Sequence, residues 1–89
     1  MNKIRRKALA EIITKLEELE NLRSEIAERL EAVMDEEQEA LDNMPESLQE
    51  SERGQQMQEY IDTMSSVLDD LGYIDTEDLS SQLEEIVEG

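Results

Sequence analysis

From Ile4 to Met44 the chain runs without a single glycine or proline. Leu9, Ile12, Ile13, Leu16, Leu19, Leu22, Ile26, Leu30, Val33, Met34, Ala40 and Leu41 recur along it in steps of three and four. That spacing places one apolar stripe on one face of an α-helix. The stretch is therefore expected to be one helix over about 4–43, roughly eleven turns long. Nothing else in the chain limits the fold so tightly.

The charges on this helix oppose its dipole. Lys3, Arg5, Arg6 and Lys7 stand at the positive N-terminal end, and Asp35, Glu36, Glu37, Glu39 and Asp42 at the negative C-terminal end. Each unfavourable group costs about 0.3–1 kcal/mol when exposed. Glu31, Asp35 and Glu39 also repel one another at intervals of four, whereas Glu11–Lys15 and Glu25–Arg29 return only tenths of a kcal/mol. Packing against a partner must supply the order that local electrostatics withhold.

Pro45 ends the run, because the residue before a proline is pushed out of helical geometry. A turn over 44–51 follows, with Ser51 as the N-cap of a second helix at about 52–71. Met57, Tyr60, Ile61, Met64, Val67, Leu68 and Leu71 form its apolar face. Gly72 suits a left-handed C-cap. Asp75 or Thr76 opens a third helix at about 76–88, with Leu79, Leu83, Ile86 and Val87 turned inward. If the first helix runs antiparallel to the other two, facing residues should have constant index sums. Leu41 with Met57, Met34 with Met64, and Leu30 with Leu68 share one sum, and Leu16 with Leu83 differs from it by one. In the same register Arg23 faces Asp75 and Lys15 faces Glu84. The expected fold is an all-α antiparallel helical hairpin forming one domain, 1–89. Two helices cannot enclose so wide a stripe, so a homodimer or larger oligomer should complete the bundle.

Charge narrows the partners. Residues 1–15 carry five basic side chains against Glu11, a net +4, while residues 16–89 carry three arginines against 24 acids, a net −21. The total of −17 disfavours direct binding to nucleic acid or an anionic membrane and favours a basic protein surface. Cysteine and histidine are both absent. Disulfides, Cys or His zinc sites and Ser/His or Cys/His nucleophile systems are thereby excluded. No proton-transfer constellation points to an enzyme, and no cofactor is implied. With no unbroken apolar run for a signal peptide or a membrane span, a cytoplasmic protein is expected.

Four motifs invite a functional reading. Gly72 to Leu79 matches the second half of a calcium-binding loop, but the first half would need ligands at Val67 and Leu71, which have none to offer. The methionines Met34, Met44, Met57 and Met64 read as core filling before they read as an adaptable surface. Lys3, Arg5, Arg6 and Lys7 have three readings. They can pair with Glu84, Glu85 and Glu88, meet the 35–42 stretch of an antiparallel second chain, or converge in an oligomer with Tyr60 or Tyr73. In that last case they would sequester a phosphate-bearing signalling nucleotide. Lastly, Glu17 to Asp42 carries 11 acids over about 39 Å of helix, close to the charge spacing of one DNA strand. Glu28, Glu31, Asp35, Glu36, Glu39 and Asp42 are the candidate binding face for that mimicry.

The segment DEEQEALDNMPESLQESERG, residues 35–54, resembles a stretch of small acidic helical proteins encoded by bacterial phages and prophages. NKIRRKALAEIITKLEELENL upstream and the amphipathic helix downstream are similar to the same group, while residues 71–78 depart from its more continuous helix. The resemblance implies origin and fold, and carries no functional residue across. Small phage proteins of this kind are often inhibitors of host or defence proteins. It therefore implies a protein-binding role in a bacterial cytoplasm, with a purely structural assembly protein as the plainer alternative.

Overall fold

A computed structural model describes all residues, 1–89, and contains helices and no strand. The helices are α1 (Lys3–Asp42), α2 (Glu46–Gln49), α3 (Glu52–Gly72) and α4 (Thr76–Glu88). One long helix is followed by a bent pair. The chain divides into two compact units: Met1–Glu25 with Ile74–Gly89, and Ile26–Tyr73.

α1, α3 and α4 each start where a side chain can accept an orphan backbone N–H. Asn2 Oδ1 accepts from the Arg5 amide at 2.9 Å, a cap the sequence pattern did not single out. Ser51 Oγ accepts from Gly54 at 3.4 Å, and Asp75 Oδ1 from Asp78 at 3.0 Å. The dipole conflict in α1 is visible at both ends: its first turn holds no acid and its last no base.

In the second unit, Pro45 begins the short α2, its carbonyl accepting from Leu48 and Gln49 at 2.8 and 3.0 Å. Gln49 Nε2 donates back to the Met44 carbonyl at 2.9 Å, closing the turn. Gly54 then lies so near the end of α2 that a Cβ on it would stand 2.1 Å from the Gln49 carbonyl oxygen. Leu41 and Ile61 are buried in this unit, and Leu30, Met34, Met57, Met64, Leu68 and Leu71 are half-buried. Its four methionines all lie on this covered side.

Covered residues of α1 follow a strict alternation of three and four: Leu9, Ile13, Leu16, Glu20, Arg23, Ala27, Leu30, Met34 and Leu41 belong to it. Gly54, Met57, Ile61, Met64, Leu68 and Leu71 repeat the alternation in α3, and Thr76, Ser80, Leu83 and Val87 in α4. Such a period of 3.5 marks a seam narrower than the apolar stripe, mostly aliphatic but carrying Glu20 and Arg23 in α1. The wide stripe therefore splits in two. Half of it is covered, and Ile12, Leu19, Leu22, Ile26 and Val33 remain 44–55% exposed.

Two expectations need correction. Gly72 is no left-handed cap: no glycine has a positive φ, α3 runs through Gly72, and Tyr73 caps it in right-handed geometry. The inner face of α4 is likewise not Leu79 with Ile86. Both are exposed, and Thr76 and Ser80 take the seam with Leu83 and Val87. The physical reason is periodicity: the 3.5 repeat of the seam selects a narrower set than hydrophobicity alone suggests.

Candidate functional site

A polar layer interrupts the seam of the first unit. Glu20 and Arg23 both occupy covered positions of α1, one turn apart, and Thr76 opens α4. Arg23 donates through Nε and Nη2 to the two Glu20 oxygens at 2.9 and 2.5 Å, a two-point fork. Thr76 Oγ1 donates to the same carboxylate at 2.5 Å, and Ser24 Oγ adds a contact at 3.3 Å. Thr76 is only 2% exposed, so its hydroxyl needs that acceptor. These donors, Arg23 first and then Thr76, hold the Glu20 carboxyl down to about 2, against the partial desolvation that raises it. The Arg23 guanidinium is shifted upward in return, chiefly by its bond to Glu20.

This arrangement corrects two expected pairs. Arg23 is bound by Glu20 on its own helix, and Asp75 adds only a longer-range attraction. Lys15 bonds Glu18 at 3.2 Å in place of Glu84. A partner one turn away on the same helix is reached without aligning a second element, which favours the local pair. The layer is built for position. A carboxylate held so far below neutrality by three donors has no proton to give and little basicity to take one.

Beside this layer Leu16, Glu17, Asn21, Ser80, Ser81 and Glu84 line an open groove of about 560 Å³. No group of three or more acids is arranged to hold a metal ion. At the calcium-like stretch, Val67 to Gly72 is helical and the Asp75 carboxylate is engaged in capping.

The six acids of the candidate face are all exposed. Glu28, Asp35 and Asp42 form one row at intervals of seven, Glu31 and Glu39 flank Asp35 at four, and Glu36 lies further round. At 100° per residue the first five share an arc of about 80°. Lys3, Arg5 and Lys7 are exposed too, but Arg6 turns toward the seam, where its Nε is shielded and has no acceptor. The four bases thus do not share one face. Tyr60 and Tyr73 are exposed on the second unit.

The exposed apolar residues keep a register of their own. Ile12, Leu19, Ile26, Val33 and Ala40 recur at intervals of seven, each one residue before a covered one. Tyr60 and Val67 do so in α3, and Leu79 and Ile86 in α4. Along α1 this bare row, the g position of the heptad, alternates with Ala8, Lys15, Leu22, Arg29 and Glu36 at position c to make a second 3.5-period seam. The helix therefore has three faces: covered, bare apolar and acidic. No helix is long and apolar enough to cross a membrane. Compared with known proteins, the chain matches no family model, and no curated protein or solved structure shows a significant likeness to it.

Proposed function

We propose that the chain is a non-enzymatic protein-binding module, an antiparallel helical hairpin that pairs with a second copy and presents its acidic face to a basic protein. In this reading it acts as a phage-type inhibitor of a host or defence protein in the bacterial cytoplasm, by occupying a surface that otherwise receives nucleic acid. The observation that carries the proposal is the three-sided α1. One face is used within the chain, one is apolar and bare, and the third is acidic and stays free when both others are covered.

Surface area supports self-association. The chain exposes 6950 Å², whereas a 10.3 kDa compact monomer exposes about 5,400 Å². The excess is roughly twice the ~800 Å² that each partner buries in a standard interface, enough for the more extensive contact of a homodimer. Completing the burial of each half-exposed aliphatic side chain recovers about 1 kcal/mol. An arc of closely spaced carboxylates in turn suits long-range attraction to a basic groove, which screening by salt weakens.

Sedimentation equilibrium tests the first half: a dimer is expected at micromolar concentration, and Leu19→Glu with Ile26→Glu should give a folded monomer. A wild-type chain that stays monomeric overturns it. Reversing charge at Glu31, Asp35 and Glu39 tests the second half against proteins captured from a bacterial lysate. Those variants should fold normally and lose salt-sensitive capture; undiminished capture overturns the acidic-face reading.

A further inference from the structure

We infer that the bare g/c seam of α1 is the docking surface for α1 of a second copy, and that the two helices run antiparallel. The inference rests on the self-association proposed above and adds its orientation. Charge decides it. Residues 1–15 carry a net +4, and residues 35–42 carry five acids and no base. Side-by-side parallel helices would lay positive on positive and negative on negative along the same seam. Antiparallel helices bring each basic end onto the acidic end of the other copy, twice by symmetry. At physiological salt, charges further apart than about 8 Å are screened, so only groups lining the seam matter. Arg5 at position g and Glu36 at position c do line it, and both are exposed.

The 3.5 period then sets the register. In an antiparallel seam each g residue meets a c residue of the other helix. Arg5 opposite Glu36 of the second copy places Leu19 opposite its Leu22 and Val33 opposite its Ala8. Lys15 and Arg29 then lie over Ile26 and Ile12, where their aliphatic stems can cover apolar surface while the charged ends reach water. The two-fold axis passes between Glu20 and Asn21. The same alignment lays Arg6 and Lys7 beside the 34–35 turn of the second copy. It also leaves Glu28, Glu31, Asp35, Glu39 and Asp42 off the seam.

The chain has no cysteine, so introduced thiols are its only ones. Ala8→Cys and Val33→Cys, both at exposed positions, are prepared separately with tags of different mass and mixed, then treated with a short bis-maleimide. In antiparallel pairs the mixed product should dominate, and each variant alone should give little, because like positions stand about 37 Å apart. Sedimentation on the same samples reads self-association independently. Monomers there overturn both proposals. Dimers in which each variant links to itself overturn the antiparallel pairing and leave self-association standing. Charge exchange gives a second readout. Arg5→Glu or Glu36→Arg alone should weaken association roughly 2–10-fold at low salt, the scale of two exposed pairs. The double variant should restore it, and a double variant weaker than both single ones overturns the register.

Discussion

The two units solve one packing problem with different chemistry. In the second, Leu30, Met34, Leu41, Met57, Ile61, Met64 and Leu68 fill the covered seam with aliphatic and thioether side chains. In the first, Glu20, Arg23, Thr76 and Ser80 occupy equivalent positions, and only Ile13 among apolar residues is buried. Apolar surface stabilises without regard to direction, so an aliphatic seam tolerates slippage by a heptad. A carboxylate gripped by an arginine and a buried hydroxyl is satisfied in one alignment only. The polar layer adds little stability and specifies the position of α4 on α1; the aliphatic seam holds the fold together.

The largest expected effect comes from opening the aliphatic seam. Ile61, 7% exposed, leaves a cavity when cut to alanine, at about 2–4 kcal/mol. Leu83, half-buried in the first unit, should lose about half as much on the same substitution. Thermal unfolding by circular dichroism ranks the two variants, and hydrogen exchange shows which unit opens first. Equal losses would mean that the units do not differ in what holds them.

A second contrast lies within the second unit, between its two glycines. Gly54 is buried against the end of α2, and a Cβ there would strike the Gln49 backbone. Gly54→Ala must displace α2 and should cost about 1–3 kcal/mol. At Gly72 nothing lies within 4 Å of a Cβ and φ is helical, so Gly72→Ala should stabilise by about 0.5–1 kcal/mol. Denaturant titration of both variants checks the opposite signs. A stabilising Gly54→Ala would show that α2 is not held against α3.

Much of the architecture is legible in the residues because it depends on local signals. The unbroken run to Pro45, the Ser51 and Asp75 caps and the 3.6-like spacing of apolar residues lie within a few positions of their effects. What failed to show was the division of labour inside the stripe. Ile12 and Ile13 are adjacent and equally hydrophobic, yet one is half exposed and the other buried. Only a count of period 3.5 against 3.6, carried across both α1 and α3, separates them. The polar layer was hidden for a related reason. The antiparallel register assigns Arg23 to Asp75, whereas its actual partner Glu20 has the letter of any surface acid and only the seam places it inside. Gly72 misled because a glycine near a helix end carries the same letter whether its φ is positive or helical.

The smallest effect is the one that isolates the polar layer, and it depends on pH. Glu20 has a carboxyl lowered from 4.5 to about 2, so the folded chain favours its ionised form. Its contribution is therefore complete above pH 4.5 and fades as pH falls from there through about 2. Acidification also neutralises many of the 25 acids and relieves the repulsion behind the net −17. The two trends oppose each other, and the wild-type curve alone cannot separate them. Glu20→Gln keeps the size of the side chain and the other 24 acids, but lacks the titrating group. The stability difference between wild type and Glu20→Gln should be positive at pH 7, unchanged down to about 4.5, and then shrink toward pH 2. The amplitude should be small, since the pair is partly solvated and salt screens it. Melting curves of both proteins at matched ionic strength measure it. A difference that stays flat to pH 2 would mean that Arg23 and Thr76 do not grip the charge, and the first unit would then have no device to fix its register.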